Sequence, residues 1–254
     1  MAFSSVSGGS KTDVWPQSNL LQALRATDYD LLHPYLVEDA KLQDDLLYMP
    51  GNDVTNVYFP CGPSLVSYLV VCPDGREVQA ALVGREGAVG GIVSRGNLPA
   101  YCRIIVKFGG PFVRMPIARL EEAKRQSETL RSLFARYADC LLAQIFQSTA
   151  CNAIHSIEQR TAKWILAAME RTGDQLLPLT HEELASMLGV GRSYASRVLQ
   201  SLKSEGILET RRGALVVRDK DRLVRKSCPC NDSVKAHFDV VLRGVYPEAT
   251  TPET

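Results

Sequence analysis

The sequence predicts an α+β chain in three parts: an N-terminal antiparallel β-roll, one long helix and a C-terminal winged helix-turn-helix. Three observations predict it. From about residue 41 to 115, short apolar runs alternate with Gly, Pro, Asn and Asp turns at nearly regular spacing, the pattern of a compact antiparallel roll or barrel. Residues 128–155 contain neither Gly nor Pro and carry apolar side chains at helical spacing. Residues 180–217 read as a capped helix, a Gly-containing turn, a second helix and two apolar runs around a basic tip.

At 254 residues the chain is longer than a usual single domain, so two domains are expected. Hydrophobic residues make up 45%, enough to close real cores. The 29 Lys and Arg against 28 Asp and Glu give a net charge of +1, which excludes an acidic tail protein and a histone-like basic one. Nucleic-acid binding survives that balance, because charge can be local. Seven scattered Cys, an odd number, do not make a disulfide framework and fit a reducing compartment. No apolar run reaches about 18 residues, and Met1–Ser10 has neither a basic nor an apolar segment of a signal peptide. A cytoplasmic chain without membrane contact is expected.

Taken in order, residues 1–18 are a Ser/Gly-rich tail. Residues 19–115 form the roll domain. Its entry, 19–37, carries Leu20, Leu21, Leu24, Leu31, Leu32 and Leu36 and predicts short helices broken near Asp28 and Pro34. Strand runs follow at Val57-Tyr58-Phe59, Leu65 to Val71, Val78 to Val83 and Ile104-Ile105-Val106, with a hairpin at Asp74-Gly75. Residues 116–155 hold the long helix and its approach. Leu130, Phe134, Tyr137, Leu141 and Ile145 form a seam along about 40 Å. Periodicity leaves two partners open for that seam, the chain's own core and a second subunit. Residues 156–228 form the helix-turn-helix domain, and 229–254 a last helix and tail.

Ser156-Ile157-Glu158-Gln159 and Thr180-His181-Glu182-Glu183 are capping boxes that open helices, and Gly173 closes the first of them. Gly189-Val190-Gly191 turns the chain into a helix from Arg192 to about Ser204. Leu184, Ala185, Leu188, Val190, Ala195, Val198 and Leu199 would pack the pair together. Arg192, Ser193, Tyr194, Ser196 and Arg197 are then left facing outward at the start of the second helix, where base edges are read. The wing follows, with Arg211-Arg212-Gly213 at its tip. Residues 191–218 carry a net +4, so positive charge is concentrated where DNA phosphates would lie. The bland alternative is an αα-hairpin with a solvated charged face. Thr180, Arg192, Ser193, Tyr194, Ser196, Arg197, Arg211 and Arg212 are the candidate DNA contacts.

The chain resembles the Crp/Fnr family of bacterial transcription regulators over nearly all of residues 19–243. The resemblance is strongest at Val57-Tyr58-Phe59-Pro60, Asp74-Gly75-Arg76-Glu77, Val83-Gly84-Arg85-Glu86-Gly87 and the run Leu179 to Leu208. It implies a cyclic-nucleotide-binding-like roll, a dimerisation helix that makes the seam Leu130, Phe134, Tyr137, Leu141 and Ile145 a homodimer interface, and a winged helix that binds double-stranded DNA at a palindromic operator. It implies RNA polymerase as a further partner if the protein activates. Family recognition helices carry an R-E-x-x-x-R pattern. Here Arg192 and Arg197 match, and Ser193 replaces the Glu. Family members that bind cyclic AMP carry a Gly-Glu pair and, some residues on, an Arg. Here these positions read Gly90-Gly91 and Ala100-Tyr101, so cyclic AMP is not the expected effector. Arg85, Arg95, Arg103 and Lys107 are the remaining cations that could hold an anionic effector such as a cyclic dinucleotide. The iron–sulfur branch of the family has a Cys cluster near its N-terminus, and residues 1–40 contain no Cys. The haem branch takes ligands from the roll, and His33, His155, His181 and His237 all lie outside the predicted strands.

Cys228-Pro229-Cys230 is the one close Cys pair, two ligands short of a closed zinc site. Cys61, Cys72, Cys102, Cys140 and Cys151 read as small apolar residues in strands and helices. No metal and no cofactor are therefore expected. No G-x-S-x-G, H-E-x-x-H or G-x-x-x-x-G-K-[ST] motif is present, so no enzyme is expected either. The rival to a DNA-binding regulator is a nucleotide- or protein-binding module whose helix-turn-helix only mediates assembly.

Overall fold

The computed structural model describes residues 17–92 and 98–243. Two short helices, α1 (Asn19–Gln22) and α2 (Ala26–Leu32), lead into β1 (Val37–Lys41), β2 (Leu46–Tyr48), β3 (Asn56–Pro60), β4 (Leu65–Val71), β5 (Glu77–Val83), β6 (Arg103–Phe108) and β7 (Gly110–Pro116). These strands form two antiparallel sheets, ordered β1-β7-β3 and β2-β6-β4-β5. The β4–β5 hairpin turns at Asp74-Gly75, with Gly75 at φ +81°. The apolar sides of both sheets face each other around Val57, Phe59, Val66, Val83, Val106, Phe112 and Met115. The two helices at the entry break at Ala23–Arg25, not near Asp28. Asp28 instead lies inside α2, is buried, and accepts hydrogen bonds from the Ser127 and Thr129 hydroxyls at 2.5 and 2.7 Å.

A separate helix, α3 (Ile117–Gln126), precedes the long α4 (Glu128–Ile154), and Ser127 caps α4 through the amide of Leu130. The first half of α4 closes the roll. Leu130, Leu133, Phe134 and Tyr137 are fully buried in the same core as Phe59 and Val83. Phe134 meets Phe59 edge-on at 6.4 Å, and the Tyr137 hydroxyl donates to the Ala88 carbonyl at 3.1 Å. Three members of the expected dimer seam, Leu130, Phe134 and Tyr137, are spent on the chain's own roll; Leu141 is half-buried against the same core, and Ile145 is half-buried. The seam's spacing is the same for either partner.

The third part begins with α5 (Ile157–Thr172), followed by β8 (Leu176–Leu177), α6 (His181–Leu188), α7 (Arg192–Ser204), β9 (Leu208–Arg211), β10 (Ala214–Val217), α8 (Lys220–Lys226) and α9 (Cys230–Arg243). The strands make a small sheet ordered β8-β10-β9. Both capping boxes form where the sequence places them, at Ser156/Gln159 and Thr180/Glu183, and Gly173 and Gly189 close their helices at φ +75° and +68°. The helix-turn-helix domain packs against the roll. Leu65, Leu82 and Phe108 share one core with Trp164, Ile165, Met187, Leu188 and Leu199. Trp164 stands edge-on to Phe108 and donates to Gln79 at 3.1 Å, and Arg171 pairs with Glu86 at 2.8 Å. Helix α9 folds back along α4, with Phe238 edge-on to Tyr137 and Arg136 donating to the Val241 carbonyl at 2.8 Å. Among the described residues no helix is long and apolar enough to cross a membrane.

Because Phe134 is only 1% exposed and fills the junction of helix and roll, Phe134→Ala should destabilise the chain by about 3–5 kcal/mol. Denaturant unfolding followed by circular dichroism measures this. A loss below about 1 kcal/mol would show that α4 does not close the roll.

Candidate nucleic-acid interface

Helices α6 and α7 form the helix-turn-helix. Leu184, Ala185 and Leu188 of the first pack on Ala195, Val198 and Leu199 of the second, all buried. The turn works because Gly189 adopts a left-handed conformation and its amide bonds back to Ser186. The Val190 amide reaches the Ala185 carbonyl at 3.0 Å, which seats Val190 beneath the pair. Gly191 then caps α7 with no side chain of its own, leaving the first turn open to an incoming group.

The first two turns present Arg192, Ser193, Tyr194 and Arg197 to solvent. Arg192 is 72% exposed at its side chain and stands 3.8 Å from Glu182. Tyr194 donates to Glu158 of α5 at 3.1 Å, and its ring lies 5.3 Å from the Arg197 guanidinium. The phenol is thus fixed from behind and forms a shelf for Arg197, which sequence periodicity did not reveal. Ser196 is half-exposed. Its hydroxyl sits 3.0 Å from His181 Nδ1 and ties α7 to α6. Thr180 is exposed, but its amide and hydroxyl both donate to Glu183, at 2.8 and 2.7 Å.

The wing is the β9–β10 hairpin, closed by Arg212-Gly213 with Gly213 at φ +70°. Arg212 is exposed at the tip. Arg211 pairs with Glu209 at 3.1 Å, and Arg218 joins the same carboxylate from the far strand. These two cations hold the Glu209 carboxyl below its usual range, Arg218 more than Arg211. An open cleft of about 320 Å³ runs between the start of α6, the start of α7 and the wing, lined by Thr180, His181, Glu182, Arg192, Thr210 and Arg211. Two helix N-termini and a basic hairpin around one cleft make an anion-accepting surface.

Glu183 joins this surface to the roll. Its carboxylate caps α6 and also accepts from Lys107 of β6 and from Gln43. Burial opposes its ionisation, but Lys107 and the Thr180 donors outweigh it and keep the carboxyl below its ordinary range. Lys107 is therefore committed to the helix-turn-helix. Arg103 is committed too, donating to both oxygens of Glu77 at 3.0 and 2.9 Å, and Arg85 lies against Gly173 at the end of α5. Arg95, the fourth cation named as an effector contact, lies outside the described residues. Gly90 and Gly91 serve packing: a Cβ would come within 2.3 Å of the Asn56 carbonyl at Gly90 and 2.6 Å of Ile117 at Gly91.

Burial, with the charges of Arg192 and Lys203, holds His181 below its ordinary pKa of about 6.5. As pH falls the unfolded chain takes up this proton first. The stability that neutral His181 contributes is complete above about pH 6.5 and is lost as pH falls through its folded value. Denaturation of wild type and His181→Gln at about pH 7.5 and about pH 5.5 should show the larger loss in the wild type. Equal losses would remove His181 from the account.

Residues 159–226 match the family model described as the Crp-like helix-turn-helix domain. No curated protein sequence matches the chain. Solved structures are similar in fold. FixK2 from Bradyrhizobium japonicum is 18% identical over 76% of this chain and 98% of its own, with a TM-score of 0.65. The c-di-GMP responsive global regulator CLP from Xanthomonas campestris is 18% identical over 77% of this chain and 100% of its own, at a TM-score of 0.60. A CRP-family transcriptional regulator from Thermus thermophilus is 20% identical over 74% of this chain and 96% of its own, at a TM-score of 0.60. Residues 159–226 are thus a Crp-like helix-turn-helix domain, and the chain as a whole shares its fold with these structures.

Proposed function

We propose that this protein is a sequence-specific transcription regulator that binds an interrupted palindrome as a homodimer and does not sense cyclic AMP. The observation that carries the reading is the open N-terminal half of α7, where Arg192 and Arg197 stand exposed beside the basic wing. A helix enters the major groove by such an end, and Arg donates bidentately to guanine there. Ser193, in place of an acidic residue, can donate or accept, so it discriminates less sharply at its base pair. Arg212 at the hairpin tip, with Arg211 beside it, suits phosphate contact, having no helical frame to hold it over a base edge.

Dimerisation is assigned to the second half of α4. Leu142 and Phe146 lie one turn apart and are 47% and 68% exposed, an apolar pair that a second copy would cover. The reading without cyclic AMP is supported by the roll interior, which Phe59, Phe134 and Tyr137 fill, and by the packing role of Gly90 and Gly91. An effector signal would reach DNA through the contacts between roll and helix-turn-helix, among them Lys107 with Glu183 and Phe108 with Trp164.

Arg192→Ala should cost about 1–3 kcal/mol on a specific duplex and relax preference at one base pair per half-site. Replacing Arg211 and Arg212 by Ala should weaken all duplexes alike and flatten the salt slope by roughly 0.9 for each phosphate no longer neutralised. Titrations of specific and scrambled duplexes at several salt concentrations separate the two. If Arg192→Ala weakens both duplexes equally while the wing change abolishes preference, the roles are reversed.

Phe146→Glu should give a folded monomer, because the side chain is exposed within the chain yet central to the proposed seam. Sedimentation velocity of wild type and variant at micromolar concentration checks it. A wild-type monomer, or a variant that still dimerises, moves the interface elsewhere.

A further inference from the structure

The fold gathers four metal-binding side chains that the sequence keeps far apart. Cys151 and His155 lie one turn apart at the end of α4, and Cys228 and Cys230 lead into α9. Their ligand atoms all fall within 4.8 Å of one another. The Sγ atoms of Cys151 and Cys228 are 3.6 Å apart, and Cys230 Sγ is 3.5 Å from His155 Nδ1. The three Cys are 0–4% exposed and form a buried cluster separate from both main cores.

We propose that Cys151, His155, Cys228 and Cys230 bind one zinc ion in a tetrahedral site that pins α9 and the helix-turn-helix domain to the foot of the long helix. Zinc bound at about 2.3 Å by sulfur and 2.0–2.1 Å by imidazole sets ligand atoms about 3.5–3.8 Å apart, the spacing of the two pairs above. Three thiolates and an imidazole are a closed structural donor set, with no open position for chemistry. An iron–sulfur cluster spreads its ligands over several irons and needs a wider ring than this one. A Cys151–Cys228 disulfide would leave Cys230 and His155 facing each other with no shared purpose.

The surroundings answer the charge. Zinc with three thiolates carries a net negative charge. Lys163 donates to Cys151 Sγ at 3.4 Å and Gln147 to Cys230 Sγ at 3.2 Å, the outer contacts that such sulfurs take. Cys230 is also the first residue of the 14-residue α9, whose free amides favour a thiolate. Asn231 donates to the Lys163 carbonyl at 2.8 Å, so the same corner joins α4, α5 and α9. The site stands where the chain passes from the long helix into the helix-turn-helix domain, and it fixes the angle between them.

The test uses the full-length protein, made without a polyhistidine tag and purified without chelator. Elemental analysis should find about one zinc per chain. The metal-free, reduced protein should take up cobalt(II) with the intense visible bands of a tetrahedral ion and thiolate-to-cobalt charge transfer. Cys230→Ala should lose the metal. His155→Cys should keep it, shift the cobalt bands to lower energy and strengthen the charge transfer, which a packing role for His155 would not produce. Protein that is folded, free of zinc and unable to bind cobalt overturns the proposal. A brown iron–sulfur chromophore, or a Cys151–Cys228 disulfide in protein kept reduced, overturns it equally.

Discussion

The burial of the first half of α4 in the roll is the constraint on which the rest of the molecule depends. Leu130, Phe134 and Tyr137 are removed from water inside a core that also holds Phe59, Val83 and Met115. Each such side chain contributes about 1.5–3 kcal/mol by leaving water, so this half of the helix cannot serve another partner without opening the roll. The helix therefore divides its labour along its length. Its start closes the roll, its middle exposes Leu142 and Phe146, and its end carries Cys151. Everything downstream of Ile154 is positioned by where that rigid rod ends.

The joint between roll and helix-turn-helix is mixed in chemistry. Its apolar part, Phe108 and Leu82 against Trp164 and Leu188, supplies affinity without direction. Its polar part supplies direction. Lys107 with Glu183 and Arg171 with Glu86 each need one arrangement of the two domains. Pairs of this kind, largely removed from water, add little net stability over apolar substitutes, but breaking one leaves a charge poorly solvated. Gly84 belongs to the same joint, because a Cβ there would lie 2.8 Å from the Arg171 Cβ. The contact is thus close and specific rather than a chance apposition of two domains.

Local signals were legible in the sequence. The two capping boxes, the Gly turn at 189–191, the Asp74-Gly75 hairpin and the span of α4 all depend on residues within a few positions of one another, and each stands in the structure where the pattern placed it. What the pattern could not carry was the choice of partner. An apolar seam at 3-4 spacing says that one face of α4 is covered, and Leu130 and Phe134 satisfy that equally inside a roll or against a second chain. The partner of Ser196 was hidden for a related reason: a polar residue at the start of a helix reads simply as outward, yet His181 sits within reach of its hydroxyl. The Cys–His corner was half legible. Cys228-Pro229-Cys230 was visible, and Cys151-x-x-x-His155 has the i, i+4 spacing of two ligands on one helical face. Only the return of α9 along α4 brings the pairs together.

The exposed charges of the candidate DNA surface are already partnered, and the magnitudes decide what that means. Glu209 holds Arg211 and Arg218, and Glu182 stands near Arg192, all at exposed positions. Exposed pairs of this kind add little to stability, and salt screens them further. A phosphate offers stronger, charge-assisted hydrogen bonds and adds the release of its own counterions. A phosphate at the wing would therefore displace a weakly held partner of Arg211 and Arg218, which the Glu209 carboxylate keeps oriented. Glu183 is different in kind. It is tied to Lys107 and to the first turn of α6 at once, so the helix terminus next to the candidate groove is held from inside the protein. A movement of β6 that shifts Lys107 must disturb that terminus, so the ion pair couples the roll to the start of α6.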